Sequence, residues 1–416
     1  MATERLTNIL SHVSPSQSPI DKLTTKSPSD IVITLALRTS LTKSHRGAFK
    51  DTPLDGLLFK TLEQVVQRSC FPPHHVGDIC LGNVRDGRAT YMIRAAALAA
   101  GYPVPTCTSS VNRFCSSSLT ATQHVANEVA SGLIEVGVAI GAETLSQGNV
   151  RLERPFVEEI MEANGDAADC MQSMGQTSEN VGREFEVSRE QQDWYAVESY
   201  RRAEVAQREG WFGDEIAPVK VKVKGKDGRE EEVLVEKDDV RYGTTYEGIA
   251  KLKPAFPEFG DRSHAGNSSQ VTDGAAAIVL MKRSKAKELG VPVLAKYVGT
   301  AIEGLAPRIM GIGPALVIPK LLKQYNLEMN DIDVVEINEA FASMAVYCRD
   351  KLGLGWDRMN PRGGAIAIGH PFGCTGVRQI VTGLSECRRR KAKLLVTSMC
   401  MGTGMGMAGL FVNEVT

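Results

Sequence analysis

The stretch Cys107-Thr-Ser-Ser-Val111-Asn-Arg-Phe-Cys115-Ser-Ser-Ser118-Leu-Thr-Ala-Thr-Gln-His124-Val-Ala-Asn-Glu-Val-Ala-Ser131 decides the fold. It starts strand-like over 106–112, turns through polar residues, and continues over 115–131 with Leu119, Val125, Ala126 and Val129 at helical spacing. A second strand-like run follows at 135–142, so the unit reads strand, helix, strand. A parallel pair joined by a crossover helix is the expectation.

The same alternation extends upstream. Residues 30–37 read as a buried strand, and Pro53 opens a helix with Leu54, Leu57, Leu58, Leu62, Val65 and Val66 on one face. A strand at 78–84 and a helix at 90–100 complete the order βαβαβαβ, which predicts a mainly parallel sheet covered by helices. From residue 293 the plan returns, with strands at 293–302, 333–337, 393–399 and 407–413 and helices at 314–325, 340–352 and 374–390. Duplication of one α/β plan is the simplest reading. The chain divides into an N-terminal segment 1–28, a first half 29–144 completed by 272–291, an insertion 145–271 and a second half 292–416. The insertion is polar and holds Trp194 and Trp211. Its alternating Lys220-Val-Lys222-Val-Lys224 around Asp227-Gly228 reads as a hairpin with one solvated face. Residues 188–209 read as a helix capped by Ser188.

Composition sets bounds. With 416 residues the chain exceeds one ordinary core. Its 48 basic and 49 acidic residues nearly cancel, so no charge footprint calls for nucleic acid, and no apolar run is long enough for a membrane span. Nine cysteines without a dense framework point to free thiols in a reducing compartment. The cysteines and histidines lack the usual short paired spacings of a zinc site, so no metal is expected.

Three residues are of the types a thiol-based acyl transfer needs. Cys115 lies where a strand passes into a helix, and amide groups at a helix start favour a thiolate. His370, in Gly369-His-Pro371, is a base of suitable strength, and Pro371 restricts its backbone. Cys400 heads Cys400-Met-Gly402-Thr-Gly404, whose glycines expose amide groups for an oxyanion. A dinucleotide loop is set aside there, because no helix and strand follow it in the sequence. Asn338, after the 333–337 strand, is suited to holding a water or capping a helix.

The motifs Val111-Asn-Arg-Phe-Cys115-Ser-Ser, Ala265-Gly-Asn-Ser-Ser269 followed by Gly274-Ala-Ala, Asn338-Glu-Ala-Phe341, Gly369-His-Pro-Phe-Gly-Cys-Thr-Gly376 and Cys400-Met-Gly402-Thr-Gly404 resemble those of the thiolase family, in thiolase order, from about residue 30 onward. Met310-Gly-Ile-Gly-Pro314 makes the chain similar to the peroxisomal members acting on 3-ketoacyl-CoA. The resemblance implies two five-layered αβαβα halves with an inserted loop domain covering CoA, assembled as a homodimer or tetramer. It implies that Cys115 carries the acyl group, His370 activates it and Cys400 exchanges a proton with the acetyl-CoA carbanion. Asn338 (through a water) and His370 would stabilise one oxyanion, the amides of Cys115 and Gly402 the other, and Ser269 would lie beside the pantetheine arm. Coenzyme A is then a co-substrate, with no permanently bound cofactor. Phe114, Ser118 and Phe372 depart from the common pattern, where Gln, Gly and Leu are usual, and His264 is an unusual residue without an assigned role.

In the N-terminal segment, Arg5-Leu6 and His12-Val13 are similar to an N-terminal peroxisomal targeting signal, which implies a peroxisomal import receptor as partner. The alternatives are a disordered tail and a cytoplasmic or mitochondrial location. Rival functions are a biosynthetic acetoacetyl-CoA thiolase, a ketoacyl synthase (disfavoured because His usually stands in place of Cys400), and a non-catalytic CoA- or lipid-binding protein on the same scaffold.

Overall fold

The computed structural model describes residues 18–147, 156–225 and 227–415. Arg5, Leu6, His12 and Val13 lie outside these residues. The first half comprises β1 (Ile31–Arg38), α1 (Leu54–Arg68), β2 (Val76–Gly82), α2 (Ala89–Ala99), β3 (Cys107–Val111), α3 (Ser117–Ser131) and β4 (Val136–Glu143). The inserted region contributes the long helix α4 (Arg189–Arg208) and a hairpin of β5 (Val219–Lys224) and β6 (Glu230–Val235). Then follow β7 (Thr272–Lys282), β8 (Ala295–Gly304), α5 (Gly313–Gln324), β9 (Val334–Ile337), α6 (Ala342–Lys351), α7 (Thr375–Arg390), β10 (Leu394–Met401) and β11 (Met405–Asn413).

The strands hydrogen-bond in the order β9-β10-β11-β8-β1-β7-β4-β2-β3, with the short strand Thr42–Lys43 added beside β7. This corrects the expectation of a mainly parallel sheet. Among the described strands, only β2 with β3, β2 with β4, and β9 with β10 are parallel. The strand that closes each half, β7 or β11, returns antiparallel to both of its neighbours. The halves meet along a narrow seam where Val32 pairs with Lys296 and Ile33 with Ala295.

Side-chain alternation along the strands separates the layers. Val138 and Ile140 join a cluster with Leu57, Leu58 and Ile93 of α1 and α2. Ala139, pointing the other way, joins a cluster with Leu119 and Val125 of α3 and Val377 and Ile380 of α7. Leu395 and Met399 of β10 enter that same middle cluster, whereas Leu394 and Val396 face Val317 and Ile318 of α5. The order is therefore helix, sheet, helix pair, sheet, helix. The middle pair approaches closely because Gly376 has no side chain; a Cβ there would lie 2.4 Å from the Leu119 amide nitrogen. Such contact buries α7 from Thr375 to Cys387, polar residues included.

A buried ion-pair network crosses these layers. Arg38 of β1 donates to Glu215 at 2.6 Å and bidentately to Asp238 at 2.7 and 2.8 Å. Arg362 reaches Glu386 of α7 at 2.8 Å and Glu215 at 3.3 Å. All five groups are buried, and the network joins both halves to the inserted region. The expected hairpin forms with its lysines on the exposed face, Lys220 beside Glu232 and Lys222 beside Glu230. Ser188 caps α4 reciprocally with Gln191.

Candidate active site

Three connections between secondary-structure elements converge on the middle layer. Cys115 lies between β3 and α3, after Phe114 at φ +48°. Helix α3 begins at Ser117, two residues beyond the expected start, so the thiol stands ahead of the helix rather than in its first turn. Asn338 directly follows β9, and α6 begins only at Ala342, because Phe341 is extended at φ −145°. His370 follows Gly369, whose φ of +109° and contact with Thr272 admit no side chain; a Cβ would meet the Thr272 methyl at 2.3 Å.

These residues meet. His370 Nε2 lies 3.2 Å from Cys115 Sγ and 3.3 Å from Asn338 Nδ2, while Nδ1 lies 2.6 Å from Thr375 Oγ1. The Asn338 amide can only donate to Nε2, so the ring carries its proton on Nδ1, directed at Thr375. Nε2 is then an acceptor within reach of both the Asn338 amide and the Cys115 thiol. Asn338 Oδ1 is buried and receives no hydrogen bond from the described residues, leaving it able to accept from a water or substrate.

Burial works against the expected thiolate. Burial pushes the Cys115 thiol up to about 12, and Glu143 adds to the rise against the lowering effect of the residue's own amide. Burial, with Arg378 adding to it, lowers His370 to about 3. The residue is partly exposed, yet desolvation outweighs the amide group that favours charge. Both shifts favour the uncharged thiol and imidazole over the charged forms.

Cys400, at the end of β10, is wholly buried with its sulfur 3.8 Å from Met344 Sδ. Burial holds its thiol well above the ordinary value, and the negative charge of an ionised Cys115 raises it further, so the two sulfurs sense one another. Gly402 faces Phe114: a Cβ there would approach that ring at 3.3 Å. Ser269 donates its amide to Ala340 O, next to the Asn338 segment, and the adjacent Gln270 O accepts from the His370 amide at 2.9 Å. The structure thus unites Cys115, His370 and Asn338 directly, brings Cys400 within their field, and puts Ser269 on the strap behind them.

Supporting residues were missed from the sequence. Glu339 accepts from Tyr195 and Ser199 of α4, from Asn360 and from the Ile366 amide, clamping the segments that carry Asn338 and His370 to the inserted region. Glu143 accepts from the amides of Val84, Arg85 and Gly373. A carboxylate ending the apolar strand Val136–Glu143 was the available signal. His264 is also explained. Its Nε2 donates to Asp193 of α4 at 2.7 Å and its Nδ1 accepts from the Gly266 amide, so it pins the 263–270 loop to α4.

Comparison with known proteins agrees with this geometry. Residues 31–284 match the family model "Thiolase, N-terminal domain" and residues 291–413 match "Thiolase, C-terminal domain". The peroxisomal 3-ketoacyl-CoA thiolase of Yarrowia lipolytica is 46% identical over 415 residues, covering 99% of this chain and 100% of the relative. The crystal structure of the dimeric peroxisomal thiolase of Saccharomyces cerevisiae aligns with a TM-score of 0.88 at 42% identity, covering 94% of this chain and 100% of that one. The acetyl-CoA acetyltransferase of Bacillus anthracis aligns at 0.84 and 35% identity, covering 92% of this chain and 99% of that one.

Proposed function

Because the chain belongs to the thiolase family, we propose that it is an acyltransferase of the 3-ketoacyl-CoA thiolase type, cleaving 3-ketoacyl-CoA with CoA to acetyl-CoA and a shortened acyl-CoA in fatty-acid β-oxidation. The observation that carries this reading is the 3.2 Å contact of His370 Nε2 with Cys115 Sγ, made beside a second buried thiol.

Since burial disfavours charge on both partners, the proton leaves Cys115 as its sulfur bonds to C3 of the substrate, and His370 Nε2 receives it. The C2–C3 bond then breaks, and its electron pair leaves as the acetyl-CoA enolate. Cys400 protonates C2 and becomes the thiolate. That thiolate takes the proton of an incoming CoA thiol, whose sulfur attacks the acyl-Cys115 carbonyl. Collapse releases the Cys115 sulfur, which recovers its proton from His370. Asn338, through a water on its free Oδ1, and His370 serve one oxyanion; the amides of Cys115 and Gly402 serve the other. A thiol suits the role of Cys400 because both its partners, an enolate and a CoA thiol, are weak acids.

CoA is the co-substrate, lying across the inserted region 145–271 with Ser269 beside its pantetheine arm. The chain acts in the peroxisome as a homodimer, and Arg5, Leu6, His12 and Val13 engage an import receptor. This part of the reading rests on the relatives' names and on the sequence pattern.

Incubation with 3-ketoacyl-CoA in the absence of CoA is expected to leave an acyl mass on the peptide holding Cys115. Full thiolysis by a Cys115→Ala variant sinks the scheme. Turnover confined to acetoacetyl-CoA would favour a biosynthetic role.

A further inference from the structure

A buried ion pair near His370 differs from those of Arg38 and Arg362. Each of those arginines meets two carboxylates, Glu215 and Asp238 in one case, Glu386 and Glu215 in the other. Arg378 of α7 is just as buried but meets one, Glu336 of β9, at 3.0 Å. Its Nε and Nη2 have no hydrogen-bond partner among the described residues, and neither has Glu336 Oε1. A single carboxylate is thus in contact with this cation.

The pair adjoins the reacting groups from two sides. Arg378 follows Thr375 by one helical turn, on the same face of α7, and the Thr375 hydroxyl meets His370 Nδ1 at 2.6 Å. Glu336 stands two residues before Asn338, whose side-chain amide lies 3.3 Å from His370 Nε2. Gln379 fixes this frame by donating to the carbonyls of Glu336 at 3.0 Å and Ser398 at 3.2 Å, and the latter also accepts the Asn338 backbone amide. The charged groups facing Glu336 are Arg378 of α7, Glu339 beyond β9 and Glu215 of the inserted region, while its register partner on β10 is the neutral Thr397.

We propose that Glu336 is a positioning residue for the reaction: its carboxylate offsets the Arg378 cation and so lets His370 Nε2 accept the Cys115 proton. This rests on the thiolase reading and adds a residue to it. When the proton passes from Cys115 Sγ to His370 Nε2, the imidazole becomes an imidazolium. The Arg378 cation opposes that charge, and an ionised Glu336 favours it. Without the carboxylate the cation is uncompensated, and a unit charge this close shifts a proton equilibrium by about 10- to 100-fold. Burial raises the Glu336 carboxyl to about 7, so the offset is established as pH rises through that value.

The test measures kcat with acetoacetyl-CoA and CoA at pH 6 and pH 8, in the full-length wild type, Glu336→Gln, Arg378→Gln and the double variant. Circular dichroism gives the folded fraction of each. Glu336→Gln is expected to lose kcat about 30-fold at pH 8 with KM unchanged. At pH 6 the loss should shrink to about fourfold, because the wild-type carboxyl is then largely protonated itself. Removing the cation as well should bring the double variant back to within about threefold of wild type at pH 8. A wild-type rate in Glu336→Gln at pH 8 overturns the proposal and leaves the thiolase reading standing. A double variant as slow as Glu336→Gln assigns the pair to packing alone and also overturns it. A wild type inactive on both acetoacetyl-CoA and 3-ketohexadecanoyl-CoA overturns both readings. Should Glu336→Gln fail to fold, Arg378→Gln decides: at pH 6 it should exceed wild type about fivefold, and a rate at or below wild type overturns the offset.

Discussion

Thr375 Oγ1 stands 2.6 Å from His370 Nδ1, on the side of the imidazole opposite the Cys115 sulfur. Thr375 is the first residue of α7, so the helix that packs the middle layer also orients the base. The ring's tautomer is decided by that contact and by the Asn338 amide, not by any charge on the ring.

Thr375→Val removes the acceptor for the Nδ1 proton while keeping the side-chain shape. Loss of the oriented tautomer is expected to lower kcat by about 10- to 100-fold with little change in KM. Steady-state kinetics check it, and Thr375→Ser should restore most of the rate.

A neutral thiol–imidazole couple has a distinct pH signature. With Cys115 raised to about 12 and His370 lowered to about 3, alkylation of Cys115 by iodoacetamide should climb about tenfold per pH unit from 7 to 9 without levelling. A plateau beginning below pH 7 would instead mark a resting ion pair. Rates read by mass spectrometry of the Cys115 peptide distinguish the two.

Two buried carboxyls bear on stability. Burial raises Glu143 and Glu336 from the ordinary 4.5 to about 7, against hydrogen bonds from Gly373, Arg85 and Val84 in one case and the charge of Arg378 in the other. A raised folded-state value means the native protein binds the extra proton, so the stabilisation is complete below pH 4.5 and fades as pH rises through 7. Each group contributes about 3 kcal/mol to this change. In urea unfolding, Glu143→Gln should therefore lose stability less steeply than wild type between pH 5 and 7.5.

His264→Ala removes the pin between the 263–270 loop and α4 and leaves Asp193 with a lost partner in a buried site. A cost of about 1–3 kcal/mol is expected. Because Ser269 is on this loop, KM for CoA should rise more than kcat falls. Thermal melts and CoA titration measure the two effects.

Arg38→Met should cost about 3–5 kcal/mol, since Glu215 and Asp238 would remain buried without their principal cation. The folded fraction should retain its kcat, because Arg38 is in the network that joins the halves, not in contact with the reacting groups. Chemical denaturation with activity measured on the soluble protein tests both statements.

Local signals carried much of this molecule. Apolar periodicity identified the strands and helices of both halves, because β4 and β10 are buried on both faces and a helix stripe such as Leu54-Leu58-Leu62 leaves little alternative. His370 after Gly369 and Cys400 ahead of Gly402 were legible because close backbone approach restricts residue type, and Cys115 by its place between a strand and a serine-rich helix start. Strand direction was not legible, since apolar runs look alike whichever way they pair, and β7 completes the first half only after the long insertion. Nor was the charge state of the couple, which depends on how completely the middle helices exclude water from one sulfur and one ring. The partners of Glu339 and His264 lie on α4, remote in sequence, so no local pattern could announce them. The sequence by itself supplied the candidate reacting groups, Cys115, His370 and Cys400. Tertiary structure alone decided that Cys115, His370 and Asn338 meet and that burial disfavours charge there, because desolvation is a property of everything packed around a residue and not of its neighbours along the chain.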